Sequence, residues 1–343
     1  MQKLLNSLYV NDEKAYLTLD GETIRIETGE GEVKQFPLHI FGNIFSFSYA
    51  GASPALMGKC TELGINLAFF KPDGRFLCRI DGNKHGNILL RKEQYRISDS
   101  KSRSCMIARN FILGKVFNTR WLINRTMRDH ALRIDEGKLS EVVRTLADNM
   151  DTIREAVDLD TLRGIEGLCA STYFGIFDEL IINQKDVFEF EGRSKRPPLD
   201  KVNAMLSFGY MLLVNECASA LEGVGLDSYA GFLHRDRPGR VSLALDLMEE
   251  MRPVLVDRFV LTLINLKQIQ ERDFVETDSG AVLLTEEGRK KFIKAWQERK
   301  KEEIKHPFLQ EKINWGLVPN IQAQLLARYL RGDMDDYPPF FWK

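Results

Sequence analysis

Residues able to do chemistry gather in two stretches of this 343-residue chain. In "GFLHRDRPGRVSLALDLMEEMRP", residues 231–253, His234 precedes a basic Pro-Gly loop, and Asp246, Glu249 and Glu250 interrupt an otherwise apolar helix. Two readings fit these carboxylates. At i, i+3 and i+4 they can form one solvated polar face. If they face the interior instead, a cation or hydrogen-bond donors must meet them, because an unpaired buried carboxylate is costly to desolvate. The second stretch is "DTLRGIEGLCASTYFGIFDEL", where Leu162, Glu166, Cys169, Ala170, Tyr173 and Phe177 share a helical face that is apolar or small except at Glu166. Glu166 thus points where a core residue belongs. It either pairs with an arginine such as Arg163 or Arg235, or helps to hold a metal ion. Gly164 and Gly167 each weaken this helix by roughly 1 kcal/mol relative to alanine, a cost that makes sense if something approaches the backbone closely.

A lone histidine is more often packed and hydrogen-bonded than a ligand, but His234 has company: it lies 12 residues before Asp246 and 15 before Glu249. One imidazole nitrogen with two carboxylates and open coordination positions suits Mg²⁺ or Mn²⁺, and the lack of a cysteine ligand disfavours structural zinc. The spacing alone names no reaction.

The elements that must position these residues change character along the chain. "AYLTLDGETIRIE" alternates around Asp20-Gly21 and "INLAFFKPDGRFLCRI" around Pro72-Asp73-Gly74, both hairpin signals. "SPALMGKCTELG" predicts a short helix begun at Ser53 and ended at Gly64. From about residue 85 to 95 the period lengthens, predicting helices near 100–134, 138–150, 157–184, 199–222, 242–267 and 307–331. The expected fold class is α+β, with a small β-rich amino-terminal domain over 1–90 and a larger all-α catalytic domain over 91–343. The tail "RGDMDDYPPFFWK" reads as an irregular terminus.

With 44% hydrophobic and 28% charged residues, the composition is that of an ordinary globular protein. No apolar run is expected to approach the roughly 20 residues of a membrane span, and the start lacks a signal-peptide core, so a cytoplasmic protein with no membrane partner is expected. Cys60, Cys78, Cys105, Cys169 and Cys217 lack CxxC spacing and are expected to be reduced and buried. The net charge of −1 is unevenly spread: residues 91–133 carry eleven basic and three acidic side chains. Such a stretch can meet phosphates or form a solvated helix surface.

The runs "RGIEGLCASTYF", "RSKRPPLDKVNAMLSFGYMLL" and "GLDSYAGFLHRDRPGRVSLALDLMEEMRPVLVDR" resemble the CRISPR-associated adaptation integrases, the Cas-one family, and the resemblance covers nearly the whole chain. "KLLNSLYV" with "AYLTLDGE" resembles their subtype I-C branch. The resemblance implies metal ligands at Glu166, His234 and Glu249, the last often aspartate in relatives, and a further catalytic acid at Asp246, either an alternate ligand or a residue behind the ligands. Asn203, Ser207 and Tyr210 would face the same cleft. Arg193, Lys195 and Arg196 would hold a DNA strand, with Arg235, Arg237 and, from the basic stretch, Arg109, Lys115 and Arg120 as further candidate contacts. The implied reaction is attack of a protospacer 3′-hydroxyl on a phosphodiester of the CRISPR repeat beside the leader, using Mg²⁺ or Mn²⁺, with endonuclease cleavage when water replaces the hydroxyl. The implied partners are double-stranded DNA and a small adaptation protein, Cas-two, bridging homodimers joined through the amino-terminal domain. Two readings outside this family remain: a stand-alone metal-dependent DNA repair nuclease, and a non-catalytic nucleic-acid-binding scaffold.

Overall fold

The computed structural model describes residues 6–71, 76–80 and 88–343. Strands β2 (Tyr16–Asp20) and β3 (Thr23–Glu27) pair antiparallel with Asp20 opposite Thr23, so the expected turn closes in two residues, and β4 (Val33–Pro37) completes a three-stranded sheet. A second sheet runs in the order β1 (Asn6–Val10), β5 (Phe41–Ser46), β6 (Asn66–Phe70), β7 (Phe76–Arg79), parallel except for β7. Helix α1 (Pro54–Glu62) crosses from β5 to β6 and is capped by the Ser53 hydroxyl, 3.3 Å from the Leu56 amide. The turn expected at Pro72-Asp73-Gly74 lies outside the described residues; the strands on either side of it pair as predicted.

Strand alternation gives this second sheet two apolar faces. Ile44, Leu67 and Phe69 join Leu17, Ile24 and Leu56 in an amino-terminal core, whereas Phe45, Phe47, Ala68 and Phe70 join the core of the helices. Helix α2 (Ile88–Ser98) follows, with Leu90 and Ile97 in the helical core. Residue 90, where the two expected domains meet, lies on this helix.

Helices α3 (Lys101–His130), α4 (Glu136–Glu155), α5 (Leu159–Phe174) and α6 (Lys201–Gly223) form the bundle. Phe177, expected on the face of α5, lies beyond its end in a 3₁₀ turn. The expectation that no run suits a membrane span does not hold for α6, which is long and apolar enough; however, 72% of its most apolar window is buried inside the protein, as in a core helix.

The single helix expected over 242–267 is instead three pieces: α7 (Ser242–Glu249), a π-helical turn (Arg252–Asp257) and α8 (Arg258–Asn265). Pro253 has no N–H to continue the α ladder, and π turns accommodate such interruptions. The helical part also carries two short ribbons, β8 (Phe274–Glu276) with β9 (Val282–Leu284) and β10 (Glu303–Lys305) with β11 (Lys312–Asn314). Helix α9 (Glu286–Lys301) lies between the ribbons, and α10 (Val318–Leu330) starts about a dozen residues later than the periodicity predicted. The carboxy-terminal tail returns to the core, burying Tyr337, Phe340 and Trp342. Cys78 is exposed, contrary to expectation, while the other four cysteines are free and buried.

Candidate metal centre in a basic cleft

Packing between α3 and α7 brings the charged groups together. A Cβ at Gly114 would lie 2.7 Å from the Glu250 Cβ, so only glycine admits this approach, and it sets Lys115 opposite Glu249. The two glutamates at the end of α7 then diverge. Glu250 turns away from the cleft and accepts from the Tyr337 hydroxyl, the Phe340 amide at 2.7 Å and Gln322 at 3.0 Å. Burial pushes its carboxyl up to about 7, with those donors pulling the other way. Glu249 faces the cleft, with Oε2 2.9 Å from Lys115 Nζ and Oε1 2.9 Å from Arg252 and 4.0 Å from His234 Nε2. Burial opposes its charge, but Arg252, Lys115 and His234 outweigh that and hold its carboxyl well below the usual range. Asp246, Glu249 and Glu250 are at most 3% exposed, which overturns the solvated-face reading.

Asp246 is fully committed to the protein. Oδ2 accepts from the Phe232 and Leu233 amides at 2.6 and 2.9 Å, and Oδ1 accepts from the His234 amide at 2.9 Å and meets His234 Nδ1 at 2.6 Å. With Nδ1–H donated to Asp246, the imidazole presents the Nε2 lone pair to the cleft. Asp246 thus positions the histidine and has no free oxygen to serve as a ligand.

Glu166 on α5 reaches the same place and bonds to Lys115. It pairs with neither arginine considered from the sequence: Arg163 holds the Leu233 carbonyl, and both Arg163 and Arg235 contact Asp160. Among the described residues, and apart from the helix's own backbone, no atom lies within 4 Å of a Cβ built at Gly164 or Gly167, so close packing of neighbouring elements there does not explain them.

The Lys115 ammonium therefore occupies the point where Glu166 and Glu249 meet, and His234 Nε2 lies 4.0 Å from the Glu249 carboxylate. Burial works against its charge, but the two carboxylates raise its pKa and keep it protonated. Among the described residues no cluster of three or more metal-ligating side chains stands assembled. The donor set nevertheless fits a hard divalent cation: the Glu166 and Glu249 carboxylates already meet at one ammonium, and the His234 Nε2 lies 4.0 Å from the Glu249 Oε1.

This centre opens on a cleft of about 700 Å³ whose walls include Arg193, Lys195, Arg196, Arg237, Arg240 and Arg252. Ser207 and Tyr210 line it as expected, with the Arg193 and Arg252 guanidiniums 5.4 and 5.2 Å from the Tyr210 ring centre. Asn203 does not face it: it is buried, bonding Arg193, the Ser194 amide and the Gly192 carbonyl. Arg109 and Arg120 reach across to carbonyls of α4, those of Arg154 and Val143, which ties up at least part of each guanidinium in helix packing. Arg235 and Arg237 are exposed. Sequence reasoning missed Arg252 and Asp257. The first was signalled only by its i+3 spacing from Glu249. The second, a carboxylate inside "VLVDRF", accepts from Tyr210 at 2.5 Å and Tyr173 at 3.2 Å, and burial pushes it up to about 6.

Fold and site together define an α+β protein whose carboxylate–histidine centre lies in a basic cleft, a surface suited to polyanionic phosphodiesters. The chain belongs to the Cas1 family: the family described as CRISPR associated protein Cas1 matches residues 8–298. It is 50% identical over 348 aligned residues to the CRISPR-associated endonuclease Cas1 2 of Rhodospirillum rubrum and 47% identical over 343 to the CRISPR-associated endonuclease Cas1 1 of Chlorobaculum tepidum, covering 100% of both chains in each comparison. Among solved structures it shares its fold with a casposase bound to integration product (TM-score 0.85, 22% identity, 98% of this chain and 93% of that one). It also matches a chain of a Cas6-RT-Cas1–Cas2 complex (TM-score 0.83, 20% identity, 100% of this chain and 37% of that one).

Proposed function

We propose that this protein is a divalent-metal-dependent DNA integrase and endonuclease of CRISPR adaptation, of the subtype I-C branch, joining protospacer 3′-hydroxyl ends to the CRISPR repeat by transesterification. The meeting of Glu166 and Glu249 at the Lys115 ammonium, with His234 Nε2 4.0 Å from Glu249 at the edge of a basic cleft, carries the reading. Those three side chains would hold Mg²⁺ or Mn²⁺ once Lys115 swings aside. Bound there, the ion supplies Lewis acidity toward a phosphoryl oxygen and lowers the pKa of the attacking hydroxyl. Asp246 keeps the Nδ1 proton of His234 and so fixes the Nε2 lone pair toward the cleft. Arg193, Lys195, Arg196 and Arg237 hold backbone phosphates along the cleft, with Arg235, Arg109, Lys115 and Arg120 as further contacts. A hydroxyl seated at the centre gives strand transfer, and water in its place gives cleavage.

The partners in this reading are double-stranded DNA, both protospacer and leader-repeat, and the small protein Cas2 bridging homodimers in the cytoplasm. Residues 1–90 serve dimerisation and 91–343 catalysis. The likeness in fold to the integration-product and Cas1–Cas2 structures supports it.

The Lys115 bridge also suits a non-catalytic scaffold whose acids are ion pairs. Transfer of a 3′-hydroxyl duplex into a leader-repeat plasmid, with Mn²⁺, Mg²⁺ or chelator, separates the readings. An integrase joins strands only with metal and favours the repeat. A scaffold binds DNA equally in chelator and joins nothing, while a stand-alone repair nuclease cuts without repeat or partner.

A further inference from the structure

His234 stands at the end of a short run of chain that is gripped at both ends. At its distal end the amides of Phe232, Leu233 and His234 all donate to the single carboxylate of Asp246. At its proximal end, residues 225–231 lie along α2, the helix that follows the β-rich part. The centre of that contact is Gln94, a side chain with no exposed surface. Its Nε2 donates to the carbonyls of Asp227 at 2.7 Å and Ala230 at 2.9 Å, while its Oε1 accepts from the Asp227 amide at 2.9 Å. One amide thus pairs with the loop backbone at three points, as a neighbouring strand would. Tyr95 and Ser98 flank it, donating to the Asp227 carboxylate and the Gly231 carbonyl, each at 2.7 Å.

The run has little slack between the two grips. Only Gly231 separates Ala230, held by Gln94, from Phe232, held by Asp246. A Cβ at Gly231 would lie 2.8 Å from the Ser242 Cβ and 2.9 Å from Asp246 Oδ2, so the chain passes there against α7. A displacement at Ala230 has few bonds in which to dissipate before it reaches the imidazole. An apolar residue at 94 would pack as Leu90 and Ile97 do, but would leave two carbonyls and an amide of the loop to find other partners.

The geometry points to Gln94 as a positioning residue for His234, fixing from outside the cleft the place and tilt of the imidazole that Asp246 orients from within. Gln94 touches neither DNA nor metal in this role. The role builds on the proposed function only in taking His234 as a metal ligand.

The test uses the full-length chain and Mn²⁺ as probe, with Gln94→Leu, the milder Tyr95→Phe and a His234→Ala control. The chain has five histidines, so in ¹⁵N-histidine-labelled protein the His234 ring signals are assigned as those lost in His234→Ala. In metal-free Gln94→Leu the His234 ring signals should shift while the other histidines keep theirs. Mn²⁺ affinity should fall about tenfold, a size typical of losing support behind a ligand, and kcat for strand transfer should fall with KM for DNA unchanged. Tyr95→Phe, which keeps all three Gln94 bonds, should change these quantities in the same direction by about twofold. If Gln94→Leu folds and is merely less heat-stable, with wild-type His234 signals and Mn²⁺ affinity, the role is wrong. If Gln94→Leu does not fold, Gln94→Glu, which keeps the acceptor for the Asp227 amide but loses the amide donor, decides: wild-type His234 signals in it overturn the role. If His234→Ala itself keeps wild-type Mn²⁺ affinity, the metal reading fails, and the metal-free His234 signals of the Gln94 and Tyr95 variants still decide the positioning role.

Discussion

Lys115 Nζ lies 2.9 Å from Glu249 Oε2 and also bonds Glu166, so one ammonium on α3 joins carboxylates from α5 and α7. In the proposed reading, Lys115 supplies in the metal-free protein the charge that a divalent cation would otherwise bring. Lys115→Met should therefore lower stability in chelator by on the order of 2 kcal/mol, less than the full cost of orphaning a buried carboxylate because Arg252 remains beside Glu249. Mn²⁺ should restore that loss, giving the variant a larger metal-induced rise in melting temperature than wild type. Equal stability of the two proteins in chelator would show that the bridge carries no load.

Asp246→Asn tests the support behind His234. An amide in place of the carboxylate sets an NH₂ group against at least one of the four donors now satisfied, and removes the charge that holds the Nδ1 proton. Mn²⁺ affinity by titration calorimetry should fall roughly 10–100-fold, yet remain measurable where His234→Ala abolishes it. Wild-type affinity in Asp246→Asn would contradict the positioning role.

His306 gives a pH dependence remote from the cleft. Its Nδ1 accepts from the Leu309 amide at 3.2 Å and Nε2 meets Gln322 Oε1 at 3.2 Å, which specifies the neutral ring, and burial pushes its pKa down to about 4. The unfolded chain binds this proton near pH 6.5 and the folded one only near 4. Stability from this residue is therefore complete above about 6.5, falls as the pH is lowered through the window, and levels off below about 4, a loss on the order of 3 kcal/mol. Buried Glu250 and Asp257 titrate in the opposite sense, so the measurement is the difference in urea midpoints between wild type and His306→Asn from pH 7 to 4.5. Parallel curves would place the His306 pKa near its ordinary value.

The legible parts of the fold were those governed by local periodicity. The β2–β3 turn, the Ser53 cap of α1 and the long helices α3 to α6 each follow from residues close together in sequence. Glu166 was visible as an acid on an apolar face, and His234 and Glu249 through their company. The break at Pro253 was missed because the apolar pattern runs on through it. Ribbons β8–β9 and β10–β11 have three-residue strands, too short to show alternation. Glu249 and Glu250 look equivalent in sequence, and only the docking of the tail, through Tyr337 and Phe340, sends one to the core and the other to the cleft. Lys115 reads in the sequence only as a candidate phosphate contact of the basic stretch. Its role arises from a contact made across 51 residues to Glu166.

The central claim is that Glu166, His234 and Glu249 form a metal centre for phosphoryl transfer. Its most direct test is Glu166→Ala, with strand transfer and Mn²⁺ binding measured in the same buffer. Because much of the DNA affinity comes from lysine and arginine, the variant should bind DNA nearly as wild type does. It should show a smaller Mn²⁺-induced rise in melting temperature, and strand transfer reduced by at least about 100-fold. Wild-type strand transfer by Glu166→Ala in Mn²⁺ would contradict the account.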